Sequence, residues 1–253
     1  MTGELWVCNL PAVDYRWALA LQERLRSARQ RGLVPDVLLL LEHFPVYTRG
    51  RRSGDGELPM GEAWYADRGI EIVDVDRGGK VTYHGPGQLV GYPIVAVEDV
   101  VAYVRMLEQA LIAALAEEGV TARARPQDGP DYTGVWVAER KLASVGVHVA
   151  RGVTTHGFAV NVENDLTPFS WVVPCGLAGV QMTSLVAETG RSPSQMRCLR
   201  KRVAFAVAQA LGRRQRLVGL RRLESYAAAA ASPPSPASAP SRPAAEATTA
   251  TTV

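Results

Sequence analysis

The sequence predicts an α+β fold, a mixed-sheet α/β arrangement in a single domain, and three observations carry that prediction. Helix-period and strand-period segments interleave without a regular strand–helix–strand rhythm, which argues against a doubly wound parallel sheet. The segment from Ala227 to Val253 is Ala, Pro, Ser and Thr apart from Arg242, Glu246 and the final Val, so it cannot bury enough apolar surface to offset its ordering entropy and is expected as a disordered tail (227–253). The rest (1–226) has ordinary hydrophobicity and suits one globular domain with a sizeable core.

Each element follows from local pattern. ELWVCNL reads as a first strand closed by Pro11. Asp14 then caps a helix whose apolar residues Trp17, Leu21, Leu25 and Ala28 recur at helical spacing until Gly32. PDVLLLLEHFPVYTRGRR is a buried strand running into an Arg-rich loop, and Ser53 to Gly69 is a Gly-punctuated connection. GIEIVDVDRGGKVTYHGPGQLVGYPIVAV places β-type residues on both sides of a glycine-rich centre, giving two strands joined by a functional loop. From Asp99 to Gly119, Val100, Val104, Leu107, Leu111 and Leu115 mark one face of a helix. TGVWVAERKLASVGVHVARGVTTHGFAVNV is an antiparallel meander turning at Ala150 to Gly152, and a last helix opens at Ser192 with Pro193 in its first turn.

Charge and cysteine usage exclude several function classes. The 28 basic and 25 acidic residues leave a formal charge of +3, too little excess to make nucleic acid the main ligand. Cys8, Cys175 and Cys198 are an odd number without C-x-x-C spacing, which suits a reducing compartment and no zinc site. The N-terminus has no basic and apolar leader pattern, and the longest aliphatic run, Val37 to Leu41, is too short for a bilayer. A cytoplasmic protein without membrane partners is expected. Only Lys80, Lys141 and Lys201 are lysines among the 28 basic residues. A lysine can be tuned to exchange its proton where arginine cannot, so those lysines merit inspection.

Three stretches could carry chemistry. RGGKVTYHGPGQ, from Arg77 to Gln88, combines four glycines, a histidine and two cations. Glycine lets backbone approach a ligand and present its N–H groups, so this reads as a binding loop, with a tight hairpin as the plainer alternative. Its spacing fits neither a P-loop nor a dinucleotide fingerprint. KLASVGVHVARGVTTHGFAVN brings Lys141 and His156 near one edge of a strand pair, although a lone lysine is usually solvated and a lone histidine usually structural. Cys175 lies between Pro174 and Gly176, on a turn that can present a thiol. Cys8 and Cys198 read instead as small buried hydrophobes.

Together DRGGKVTYHGPGQLVGYP, KLASVGVHVARGVTTHGFAVNV, VPCGLAGVQMTSL and LEHFPVYTRGRR resemble the blocks of the lipoyl(octanoyl) transferase family, in that family's order, from about Leu41 to Leu185. The resemblance implies the biotin/lipoate protein ligase catalytic fold and transfer of an octanoyl group from acyl carrier protein to a lysine of a lipoyl domain. It implies Cys175 as the acyl-accepting nucleophile and Lys141 as its acid/base partner. Arg77, Gly78, Gly79, Lys80, Val81, Thr82, Tyr83 and His84, the turn Ser144, Val145, Gly146, and Gly157, Phe158, Ala159 would line the acyl and pantetheine site. No ATP and no metal is implied, because the acyl group arrives activated on the phosphopantetheine of the carrier protein. The implied partners are octanoyl acyl carrier protein, the lipoyl domains of 2-oxoacid dehydrogenase subunits and the glycine cleavage H protein. Three other readings stay open: an ATP-dependent lipoate or biotin ligase, a Cys/His hydrolase pairing Cys175 with His84 or His156, and an acyl-binding module without turnover. Arg49, Arg51 and Arg52, and nine cations with no acid between Arg197 and Arg222, would steer acidic carrier domains.

Overall fold

The computed structural model of the chain describes residues 3–54, 56–173, 179–191 and 196–231. Its elements in chain order are β1 (Glu4–Val13), α1 (Tyr15–Gln30), β2 (Asp36–His43), β3 (Val46–Arg49), α2 (Glu62–Ala66), β4 (Glu71–Asp74), β5 (Thr82–His84), β6 (Gln88–Ile94), α3 (Val100–Ala116), β7 (Gly134–Val137), β8 (Arg140–Ala150), β9 (Val153–Asn161), β10 (Gln181–Met182), α4 (Leu185–Thr189), α5 (Met196–Ala210), β11 (Arg214–Leu217) and α6 (Leu220–Ala231). Short 3-10 turns cover Pro126–Asp128, Pro130–Tyr132 and Thr167–Trp171.

A mixed sheet runs β10-β8-β9-β6-β2-β1-β11, with β7 paired to β8. Contacts β1–β2, β1–β11 and β8–β10 are parallel, whereas β2–β6, β6–β9, β8–β9 and β7–β8 are antiparallel. The expected mixed-sheet class is therefore met. One face carries α3 and α5 over Leu38, Leu40, Leu142 and Val160; the other carries α1 and α6 over Val37, Leu39, Leu41 and Val90. Both faces are covered, so β2 reads as an unbroken apolar run rather than an alternation. No helix among the described residues is long and apolar enough to cross a membrane.

Both long expected helices start at their caps. The Asp14 carboxylate accepts from Trp17 N–H at 2.8 Å, and Asp99 accepts from Val101 and Ala102 N–H at 2.9 and 3.0 Å. The turn at Ala150 to Gly152 is also present, with Arg151 and Gly152 at positive φ. The Ser192 cap lies outside the described residues.

Several expectations need correction. Pro11 does not close the first strand, because β1 passes through it at a register shift between Asn9 and Ala12, where a missing N–H costs no ladder bond. The chain does not run from β2 into a loop: it breaks at Phe44 and Pro45 and enters β3, which joins β4 and β5 in a second, three-stranded sheet. Cys198 is exposed on α5, whose inward face is Leu199, Val203 and Val207; Cys8 is buried as expected. Helix α6 takes in Ala227 to Ala231, and Ala227 is buried against the core of Trp6, Cys8 and Leu25. The ordered chain thus continues past residue 226.

Candidate active site

The β8–β9 hairpin sets the geometry. Its register pairs Ser144 with Ala159, Val145 with Phe158, Gly146 with Gly157 and Val147 with His156, so two of the three predicted clusters face each other across one strand pair. Gly157 must be glycine, since a Cβ there would lie 2.2 Å from the Gly91 carbonyl oxygen on β6.

The third cluster lies across this hairpin. Gly78 N–H donates to the Val147 carbonyl at 3.0 Å, and a Cβ on Gly146 would come within 2.8 Å of Gly78 O. The Arg77 guanidinium is turned inward, donating to Thr48 O at 2.7 Å and Thr48 Oγ1 at 2.8 Å. Glu57 ends the loop by accepting from Val81 N–H at 3.0 Å. The glycines let two backbones touch, and the arginine anchors the loop to β3.

Between loop and hairpin opens a cleft of about 490 Å³, lined by Arg77 to Thr82, His84, Lys141, Ser144 to Gly146 and Gly157 to Ala159, a size that suits a small-molecule site. Lys141 is 1% exposed, and its Nζ stands 5.3 Å from the centre of the Trp136 ring, a cation–π contact. Tyr83 is not part of the lining. It alternates with Thr82 and His84 on β5, so its ring points the other way, into a cluster with Tyr47 and Phe169. Cys175 lies outside the described residues.

Two histidines and two tyrosines, His84, His156, Tyr15 and Tyr92, line the cleft, with His43 bonded to Tyr92 and His148 beside Asp76 behind them. His43 donates through Nδ1 to Val13 O at 3.0 Å and accepts at Nε2 from Tyr92 O–H at 2.6 Å. His84 donates through Nδ1 to Gln88 Oε1 at 2.8 Å. His156, with φ at +59°, donates from Nε2 to Asp76 Oδ1 at 2.7 Å, and Asp76 Oδ2 lies 3.2 Å from His148 Nε2. Burial disfavours the charged form of three of the imidazoles: His43 is lowered to about 4 and His84 well below its ordinary value, while His156 is lowered despite the opposing pull of Asp76. The hydrogen bond from His156 keeps the Asp76 carboxyl down at about 2. Desolvation raises Tyr15 to about 12.

Residues 14–205 match the lipoyl protein ligase A/B catalytic domain family. An octanoyltransferase of Mycobacterium leprae (strain Br4923) is 46% identical over 215 residues, 81% of this chain and 87% of the relative; one of Dictyoglomus turgidum is 42% identical over 200 residues, 79% of this chain and 84% of the relative. The chain belongs to the octanoyltransferase family. A solved lipoate-protein ligase A, bound with ATP, superposes with a TM-score of 0.73 over 90% of this chain and 94% of its own at 19% identity, which shows that the two share a fold.

In this family member, sequence reasoning missed Tyr15, Tyr92, Val100, Val101, Arg105, Gly129, Pro130, Asp131 and Thr133, all of which touch the cleft. The tyrosines look like core residues, whereas Val100 and Val101 are 41% and 70% exposed at the start of α3, and of the two only Val100 is on the face marked out by the helical spacing. The expected cationic patches are partly neutralised. Arg49 is bound by Asp74 at 2.6 Å and Glu62 at 3.3 Å, Arg200 by Glu42, Arg202 by Glu118 and Arg213 by Asp36. Arg52 lines the cleft and is paired with Asp131 at 3.0 Å.

Proposed function

We propose that the protein carries octanoyl groups from acyl carrier protein to a lysine of lipoyl domains, through an acyl thioester on Cys175 with Lys141 as the proton carrier. The observation that carries this reading is a buried lysine in the wall of a cleft whose loop and hairpin are the family's own blocks. The Cys175 thiolate attacks the thioester carbonyl carbon, the carbon–sulfur bond to pantetheine breaks, and the Lys141 ammonium protonates the departing sulfur. The neutral Lys141 amine then takes a proton from the incoming lysine. The acceptor lysine's amine, so freed, attacks the acyl-enzyme carbonyl carbon, its second surplus proton passes to solvent as the amide forms, and the carbon–sulfur bond breaks to release the Cys175 thiolate. Thioester to amide runs downhill, so the cycle needs neither ATP nor a metal. The acceptors would be lipoyl domains of 2-oxoacid dehydrogenases and the glycine cleavage H protein.

The rival reading is a hydrolase, since Nδ1 of His84 is held by Gln88 and Nε2 of His156 by Asp76, which leaves the other nitrogen of each ring as an acceptor; it predicts that water and not an amine takes the acyl group. The deciding experiment is incubation with octanoyl acyl carrier protein followed by intact mass. An octanoyl adduct mapped to Cys175, chased by a lipoyl domain, is expected; product formed only with ATP and free octanoate would replace this reading with a ligase.

A further inference from the structure

Helix α3 buries a carboxylate to which the chemistry above gives no work. Glu108 is fully buried beside Leu107 and Leu111, where an ionisable group is costly unless every oxygen is satisfied. Its two oxygens are committed. Oε1 accepts from Gly134 N–H at 2.7 Å, and Oε2 pairs with Arg105 Nη1 at 2.6 Å, with Arg105 reaching the cleft.

Gly134 is the residue that walls in the lysine. Its φ is +136°, a conformation open in practice to glycine alone, and a Cβ there would lie 2.8 Å from Lys141 Cε and 2.3 Å from Ala143 O. The Gly134 backbone therefore lies against the last carbon of the lysine stem. Two positions on, Trp136 is the cross-strand partner of Lys141 and carries the ring beneath its Nζ. A lysine stem has several rotatable bonds, and transfer demands that one nitrogen meet two successive sulfur and amine partners.

We propose that Glu108 is a positioning residue for Lys141: by holding the Gly134 N–H it fixes the start of β7 against the lysine stem and so aims Nζ into the cleft. This rests on the role given to Lys141 above. It needs no contact between Glu108 and substrate, and no titration of Glu108.

The test is single-turnover transfer from the acyl-enzyme to a lipoyl-domain lysine, set beside the steady-state KM for octanoyl acyl carrier protein and deuterium exchange of the Gly134 amide. Glu108→Ala is expected to slow transfer roughly thirtyfold, the scale of one lost hydrogen bond to a charged group, while KM moves less than about threefold. Gly134 exchange should accelerate at least about tenfold. Glu108→Gln retains an acceptor oxygen at the same reach and should recover most of the transfer rate. Wild-type transfer in a folded Glu108→Ala, an unchanged Gly134 exchange, or a Gln variant as slow as Ala would each overturn the proposal. Where Glu108→Ala does not fold, Glu108→Asp replaces it; that variant keeps the charge but falls one methylene short of Gly134, and wild-type transfer in it is equally fatal. If Lys141 itself proves dispensable, the reading of the chemistry fails, while Gly134 exchange still reports whether Glu108 holds the strand.

Discussion

Lowering the pH from 7.5 to 5 should destabilise the fold well before carboxylates protonate. His43 is fully buried and sits at about 4 instead of 6.5, because burial penalises its charged form. Its folded value lies below its unfolded value, so between 6.5 and 4 the unfolded chain binds the extra proton and stability falls as pH falls. At about 1.4 kcal/mol per tenfold in proton concentration, the full loss from His43 is roughly 3 kcal/mol, of which about 2 kcal/mol is gone by pH 5. His84 and His156 are shifted in the same direction and add to it. Asp76 belongs to a different window: its depressed value of about 2 contributes stability that is whole above 3.8 and is lost only below it. Urea unfolding at pH 7.5, 6.5, 5.5 and 5.0 measures the effect, with a constant m-value showing that the unfolded state has not changed. A free energy that stays within 1 kcal/mol across that range would refute the assignment of neutral, buried imidazoles.

Four more expectations follow from named contacts. Lys141→Arg keeps a cation beside the cleft but cannot shuttle a proton, so acyl-enzyme formation should survive in part while transfer to the acceptor fails; rapid-quench measurement of each half-reaction separates the two. Gly157→Ala drives a methyl into the Gly91 carbonyl and should cost about 1–3 kcal/mol in urea unfolding, as overpacking does. A chain stopped after Tyr226 loses Ala227 from the core and should melt lower than one stopped after Ala231, which on composition should match the full chain. Charge reversal at Arg51 should flatten the fall of kcat/KM with salt above about 0.1 M for octanoyl acyl carrier protein and leave a small octanoyl thioester unaffected, whereas the Arg49 and Arg52 changes should act through local structure because Asp74 and Glu62 hold the first and Asp131 the second.

What the sequence made legible follows from how densely each residue type had to be used. The loop Arg77 to His84 stood out because two backbones meet there, and only closely spaced glycines permit that. The hairpin stood out through a lysine in an arginine background. Tyr83 was misplaced because a glycine-rich block hides the alternation of the short β5. The second sheet was invisible for the same reason: β3, β4 and β5 have four, four and three residues, below the length at which a period can be read. Glu108 left no signal at all, since a helix pattern places it next to Leu107 and says nothing of the Gly134 amide that waits opposite. The polar floor was hidden because Tyr15, His43 and Tyr92 fall on elements whose neighbours are ordinary core residues.

The placement of β11 beside β1 bears on how the chain is made. Glu4 and Arg214 are cross-strand partners, bonded across 210 positions, and α6 covers Trp6 and Cys8 with Leu223 and Ala227. At roughly 5–20 residues per second, a ribosome keeps that first strand waiting for on the order of 10–40 s with one flank unpaired and one face uncovered. During this interval α1 and β2 can assemble locally, but the apolar stripe of Leu21 and Leu25 lacks part of its cover until the last helix emerges. The first strand is thus completed only by elements made some 210 positions later, and a nascent chain stalled near residue 210 should be the form that chaperones hold longest.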